Sequence, residues 1–598
     1  MGVRRLQTFL ERYCPEACYE VDIQEIANEY RQKYNRDPVI VVDGSGCHTK
    51  LYGKMDWICG GQFKEFSDII NFFFDSFERV GIKLIMFFDG ATQEGKRSVW
   101  VKRRLDSMYH AHEVIDALKT GVEVEAVPSD KFLLPAGAGN VMTAMAKERC
   151  EVQRSLIECD EEISHYAEKN NCLAILAQDT DFVIYENRAH YYLSLAHLNL
   201  NTMRTVVYDR VALAQDLQIE VCDLPVLATL MGNDVISADD LKPFHGRLIR
   251  GHHKEYVSLL VRAIARFIQK LPKGNDLMSQ LSQLSRDLFR TPRRAEELRK
   301  SILCYGKSFK NNTRSADPRS ETWDKIMSVA HCNYVSMEAP SFVYNILRKL
   351  PFEMSTALED CRIEVPPSAV ALRQMRRRCY GVLLREYPDQ SEIRSTVEEW
   401  CTSGPQSLNS ALKVTAIFPP DESPCLLDLW LSKSDELNEE RFKLLGWISS
   451  GHLSSIKLST FPQNIIAPIC ILSYLYHDAG ILESWEVNIF AAVVVDTQAL
   501  DSQELSKICV GRVNVRGVQL ATLFTRAITH LLQANSVCGN PVQKKWTIHP
   551  QLFDGRLFQN MYLKGENFPA APKHGNLQHY NQICESILSQ QQERCNHI

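Results

Sequence analysis

The sequence predicts an α/β domain built on a parallel sheet, followed by a mainly helical C-terminal domain. Short apolar runs end in carboxylates at three places: Val39-Ile40-Val41-Val42 before Asp43, Leu84-Ile85-Met86-Phe87-Phe88 before Asp89, and Leu173-Ala174-Ile175-Leu176 before Asp179. Continuous apolar runs separated by helix-like stretches mark strands covered on both faces, the pattern of a parallel sheet with helical crossovers. Beyond this region the rhythm changes. Val257, Leu260, Val261, Ile264, Phe267 and Ile268 recur at the i, i+3, i+4 spacing of an amphipathic helix.

Taken in order, residues 1–250 hold the α/β domain and 251–305 a helical extension. Residues 306–324 are rich in Asn, Ser, Arg and Pro and read as a polar linker. They include Asn311-Asn312-Thr313, a glycosylation sequon that a nuclear or cytosolic chain leaves unused. Residues 325–568 read as mainly helical, punctuated by Pro366-Pro367 and Pro419-Pro420, and 569–598 as a loose polar tail with one short helix around 580–588.

Composition narrows the function. The 598 residues carry 68 Lys plus Arg against 73 Asp plus Glu, a net charge of −5, which excludes a globally basic nucleic-acid binder but leaves room for a local patch. With 45% hydrophobic and 24% charged residues, a mostly disordered chain is excluded. The 19 cysteines are odd in number, scattered and without a CxxC pair, so they read as reduced thiols rather than a disulfide framework or a zinc ribbon. No apolar run reaches the ~18 residues needed to span a bilayer, and the best stretch, Ile465 to Tyr476, contains Pro468. The start has no secretory apolar region, and Leu6 stands where a myristoylation signal needs Ser or Thr.

The chemistry lies in the acids. Parallel α/β sheets build their sites at the carboxyl ends of the strands. Asp43, Asp89, Asp179 and Asp181 follow three such ends, Glu158 and Asp160 open a helix-like stretch, and Asp234 follows the turn Gly232-Asn233. One Asp at a strand end is an ordinary turn or cap residue. Seven acids converging on one cleft are not, because carboxylates ~4–6 Å apart repel and raise one another's pKa. Mg²⁺ or Mn²⁺, which prefer oxygen ligands, relieve that repulsion, and two such ions ~4 Å apart make a phosphodiesterase site.

Met1-Gly2-Val3, Val41-Val42-Asp43, Phe88-Asp89-Gly90, Glu158-Cys159-Asp160, Gln178-Asp179-Thr180-Asp181 and Gly232-Asn233-Asp234 together resemble, in this order, the flap-endonuclease and exonuclease superfamily, whose fold is a PIN-like α/β domain. The resemblance implies that Asp43, Asp89, Glu158 and Asp160 serve one metal side and Asp179, Asp181 and Asp234 the other, with Gly2 close by. Lys96 and Arg103 lie seven apart and share a helix face. The resemblance implies that, in an active enzyme, they are the catalytic pair offsetting charge on the scissile phosphate. The other reading is a solvated basic face. After Asp234 the pattern departs. Asp239-Asp240 and Pro243 do not fit the helix–hairpin–helix that grips a duplex phosphate, leaving Gly251, His252, His253 and Lys254 as weak substitutes. Thr49, flanked by His48 and Tyr52, stands where a base-stacking side chain is expected.

A second resemblance covers both ends of the chain. MGVRRLQTFLERYCPEAC, WICGGQF, DGATQEGKRSVWVKRRL, NCLAILAQDTDFVIY, LPVLATLMGNDVI and FDGRLFQNMYL resemble the constitutive coactivator of PPAR-gamma family. It implies a protein of the nucleus, and secondarily the cytoplasm, that enhances transcription by nuclear receptors such as PPAR-gamma and the estrogen receptor, with a place in differentiation. RNA or single-stranded nucleic acid is a further implied partner, and a membrane is not. No strict LxxLL motif is present; Leu227-Ala228-Thr229-Leu230-Met231 comes near but reads as core. Arg373, Arg376, Arg377 and Arg378 read as a solvated helix face, and His110, His112, His197 and His245 as structural or solvated. Two functions therefore compete: a coactivator on a nuclease-like scaffold, with nucleic-acid binding as a variant, and a Mg- or Mn-dependent nuclease.

Overall fold

The apolar runs that end in acids form the middle of a seven-stranded mixed sheet. It is seen in a computed structural model that describes residues 2–185, 189–249, 251, 254–306, 321–388, 395–404, 406–567 and 571–589. The strands are β1 (Cys18–Asp22), β2 (Val39–Asp43), β3 (Lys83–Phe88), β4 (Glu151–Arg154), β5 (Ala174–Ala177), β6 (Tyr191–Ser194) and β7 (Arg204–Tyr208). Their order is β1-β7-β6-β5-β2-β3-β4. The five strands from β6 to β4 are parallel, and β7 and β1 close one edge antiparallel.

Register levels the strand ends. Val41 pairs with Ile85 on one side and Ile175 on the other. From β2 the chain crosses to β3 and β4, then returns to β5 on the opposite flank of β2. Connections thus diverge at the carboxyl ends of β2 and β5, which opens the crevice where α/β sheets take ligands. Helices with apolar stripes cover the sheet: Leu6–Tyr13 buries Leu6, Phe9 and Leu10, and Leu224–Met231 is buried along its length. The near-miss leucines at 227 and 230 are therefore core, as read.

The chain divides into two units. The first comprises Met1–Lys50, Phe72–Trp100 and Arg149–Ser315. The expected extension belongs to it: helix Tyr256–Ile268 buries Leu260, Val261, Ile264 and Ile268 in the core beside the sheet. The second comprises Leu51–Asn71, Val101–Glu148 and Ala316–Ile598, so two N-terminal segments segregate with the C-terminal half. It is mainly helical, around helix Val515–Val537, which is buried without a break from Gly517 to Ile528. Phe490 stacks between Phe524 and Phe558 at centroid distances of 4.5 and 4.6 Å. A three-stranded sheet, β8 (Phe352–Glu353), β9 (Thr396–Trp400) and β10 (Leu412–Thr415), completes it in the order β10-β9-β8.

The arginine cluster differs from the expectation of a solvated face. Arg376 is 1% exposed and forks onto Glu399 with two bonds of 2.8 Å, while Tyr380 donates to the same carboxylate at 2.7 Å. Arg378 pairs with Asp478 at 2.9 Å, Arg373 lies 3.7 Å from Glu399, and Arg377 donates to the Thr415 carbonyl. These guanidinium groups face internal acceptors, and the basic run is structural.

The polar tail is partly ordered. Asp496, fully buried, accepts the amides of Lys573, His574 and Gly575 at 3.0, 2.8 and 2.8 Å, and helix Leu577–Leu588 follows with Ile583 and Ile587 buried. Most of the linker 306–324, its sequon, His252 and His253 lie outside the described residues. Among the described residues every cysteine is a free thiol, and no helix is long and apolar enough to cross a membrane.

Candidate metal centre

Each acid is placed by a short local device. Asp43 ends β2 and accepts the Gly46 amide at 2.9 Å, anchoring the helix Gly44–Tyr52. The Asp89 amide, just past β3, donates to Ser45 Oγ at 3.0 Å, and the Gly90 amide donates to Ser155 Oγ, just past β4, at 3.0 Å. Three strand ends are thereby laced together. Glu158 precedes helix Cys159–Lys169 and Asp160 sits in its first turn, where a carboxylate suits the positive end of the helix. Asp179 follows β5, and its Oδ1 accepts the Asp181 amide at 3.2 Å. Asp234 stands in a turn that Gly232 permits: Gly232 has φ of 103°, and a Cβ there would lie 2.6 Å from the Ala238 nitrogen. Asn233 Oδ1 accepts the amides of Val235 and Ile236, both at 3.0 Å, to fix that turn.

The centre concentrates negative charge. One carboxylate oxygen from each of Asp160, Asp179 and Asp181 lies within 4.8 Å of the others. Burial, then the charges of Asp179, Asp43, Asp181 and Asp89, push Asp160 well above the usual carboxylate range. Burial and Asp179 push Asp181 up to about 7, against the pull of the Tyr305 hydroxyl, and Asp234 adds to the rise. Burial and Asp89 push Asp43 up to about 7. The Lys96 ammonium lies 2.5 Å from Glu158 and 3.7 Å from Asp234. Burial alone would lower its pKa, but Glu158, Asp234 and Asp160 outweigh burial and hold it above its ordinary value.

The structure therefore brings all seven predicted acids and Lys96 to one place in the first unit. Lys96 sits on two of the acids themselves, the nearest anions available to it. Arg103 lies past Trp100 on helix Arg97–Lys119, in a segment of the second unit. Gly2 reaches the centre: a Cβ on it would collide with the Asp179 carboxylate and lie 2.6 Å from the Asp181 amide nitrogen. Thr49 is exposed, and burial holds His48 near pKa 4, hence neutral. Beyond Asp234, Pro243 opens helix Lys242–Leu248, and Asp240 pairs with Arg294 at 3.0 Å. His245 is buried and bonds the Leu230 carbonyl, a structural role as read.

Tyr305 is a member that sequence reasoning missed. Its hydroxyl donates to Asp181 Oδ1 at 2.8 Å and accepts from Asn233 Nδ2 at 3.2 Å. Asn233 also exchanges hydrogen bonds with Ser301, which meets Thr229 at 2.9 Å. The only sequence signal was a tyrosine just after an apolar-striped helix.

The second unit holds another three-donor group. His112 Nε2 lies 3.6 Å from Asp360 and 3.5 Å from Cys361 Sγ. Arg362 and Lys119 already pair with Asp360 at 2.8 and 3.2 Å. Burial raises the Asp360 pKa, but those cations hold it at about 2. That group is neutralised from within and does not fit a metal. The Asp160–Asp179–Asp181 set is all carboxylate, and it fits a hard divalent cation such as Mg²⁺ or Mn²⁺.

The first unit is an α/β fold on a mixed sheet, with acids at the carboxyl ends of its strands. The chain is similar to the catalytic core of Rad2 in complex with a DNA substrate, at 12% identity over 58% of this chain and 98% of that one, with a TM-score of 0.30. It is also similar to human GEN1 in complex with Holliday junction DNA, at 12% identity over 67% and 85%, with a TM-score of 0.31. A FAM120A-like domain model matches residues 217–308, the stretch holding Asn233, Asp234, Ser301 and Tyr305.

Over nearly its whole length the chain is similar to proteins named constitutive coactivator of peroxisome proliferator-activated receptor gamma. The Bos taurus protein is 29% identical over 95% of this chain and 91% of its own length. The Homo sapiens protein is 37% identical over 42% of this chain and 28% of its own length. Constitutive coactivator of PPAR-gamma-like protein 1 of Mus musculus is 19% identical over 94% and 73%.

Proposed function

We propose that this protein is a nuclear receptor coactivator of the PPAR-gamma and estrogen receptor type, working in the nucleus and secondarily in the cytoplasm. Its nuclease-like unit serves as a scaffold for RNA or single-stranded nucleic acid. One observation carries the reading: similarity to a protein named constitutive coactivator of peroxisome proliferator-activated receptor gamma runs through 95% of the chain and so through both units. A divalent cation at Asp160, Asp179 and Asp181 would supply positive charge for a phosphate and polarise it. Asp160, Asp179 and Asp181 would supply the ligand oxygens, and Tyr305 fixes the rotamer of Asp181. Lys96 is engaged by Glu158 and Asp234, and the segment after Asp234 is committed to pairs such as Asp240–Arg294. Both features favour holding nucleic acid over cutting it.

The second reading is a metal-dependent nuclease with Lys96 and Arg103 on the phosphate. Cleavage of single-stranded RNA, single-stranded DNA and flap DNA in Mn²⁺, compared between wild type and Asp179→Asn/Asp181→Asn, decides between them. The scaffold reading expects no cleavage by either protein. Activity in wild type that vanishes in the double variant would establish the nuclease. In parallel, the full chain is expected to raise output from a PPAR-gamma-dependent reporter, and no increase would overturn the coactivator role.

A further inference from the structure

We propose that the acidic centre takes one divalent cation per chain, because the Lys96 ammonium occupies the place of a second. The inference rests on the reading above that these acids hold a cation, and three features carry it. Among the described residues of the first unit, only Asp160, Asp179 and Asp181 offer three ligand oxygens within 4.8 Å of one another. Glu158 and Asp234, which the nuclease resemblance assigns to opposite metal sides, are bridged by one ammonium at 2.5 and 3.7 Å. A cation there would have to expel Lys96 or accept a like charge a few ångströms away. Finally, Tyr305 donates to Oδ1 of Asp181, which takes up one of that carboxylate's acceptor sites and makes it a weaker bridge between two ions.

The consequence is chemical. One cation beside a fixed ammonium presents two positive groups to a phosphodiester, enough to bind and orient it. A two-ion displacement also needs a cation at the leaving oxygen, and the ammonium on Glu158 and Asp234 excludes it. Lys96 thereby closes the two-ion route and leaves a centre that holds a phosphodiester of single-stranded nucleic acid.

Mn²⁺ titration of the full chain, with free Mn²⁺ followed by electron paramagnetic resonance and binding heat by calorimetry, tests this. The expected stoichiometries are one ion for wild type, two for Lys96→Met and none for Asp179→Asn/Asp181→Asn. Lys96→Arg, which keeps the charge, should stay at one. Two ions on wild type would overturn the inference and leave the metal reading standing. None on wild type would overturn both. One ion on Lys96→Met, with an unchanged melting profile, would remove the role given to Lys96. If Lys96→Met melts early, Lys96→Gln is titrated in its place under the same expectation of two.

Discussion

Asp181 and Asp360 are buried aspartates, each in a group of three potential ligands, one in each unit. Burial pushes both upward. Asp181 then meets Asp179 and ends at about 7, whereas Asp360 meets Arg362 and Lys119 and ends at about 2. Burial does not decide the sign of the shift; the neighbours do. Two more buried acids of the second unit follow Asp360: Glu399 has Arg376 and Tyr380, and Glu486 has Arg516 at 2.9 Å and Tyr562 at 2.8 Å. In the first unit acids are gathered against acids. Where the neighbours of a buried acid are other acids, as around Asp181, a cation from outside belongs.

The sharpest way to break this contrast is to unpair the second unit. Glu399→Gln leaves Arg376 buried without its counter-charge and should cost about 3–5 kcal/mol in chemical denaturation. A loss below about 1 kcal/mol would mean that water reaches the pair and that the two units do not differ as described.

Asp360 gives the next largest effect. Its folded pKa lies below the unfolded value near ~3.9. Its stabilising contribution is therefore fully present above the unfolded value and lost as pH falls toward about 2. Asp360→Asn should destabilise by about 1.5–3 kcal/mol at neutral pH through its lost charged hydrogen bonds. It should also remove that part of the acid sensitivity. Denaturation of both proteins between neutral pH and the acid limit of folding checks this, and parallel pH profiles would contradict it.

The smallest effect sharpens the first unit. Tyr305→Phe deletes two hydrogen bonds, to Asp181 and from Asn233, and should cost about 1–2 kcal/mol. Because Lys96 stays in place, Mn²⁺ stoichiometry should remain at one. A second ion on Tyr305→Phe would move the exclusion from Lys96 to Tyr305.

Much of the first unit was legible because its signals are local. The apolar runs before Asp43, Asp89 and Asp179 became β2, β3 and β5, and the acids beyond them met at the strand ends. The antiparallel edge was not legible: Cys18–Asp22 and Arg204–Tyr208 mix polar and apolar residues, and they pair across nearly two hundred positions. Tyr305 escaped for the same reason, since its bond to Asp181 spans 124 positions. The run from Arg373 to Arg378 was misread because Glu399 sits on a different element, and a basic cluster looks solvated until its acceptor is in place.

The packing of Gly2 has a practical side. Its Cα stands where even a methyl group would strike Asp179, so the approach to the cation centre is lined by the first turn of the polypeptide itself. Any residue larger than glycine at this position is then a perturbation of the centre itself.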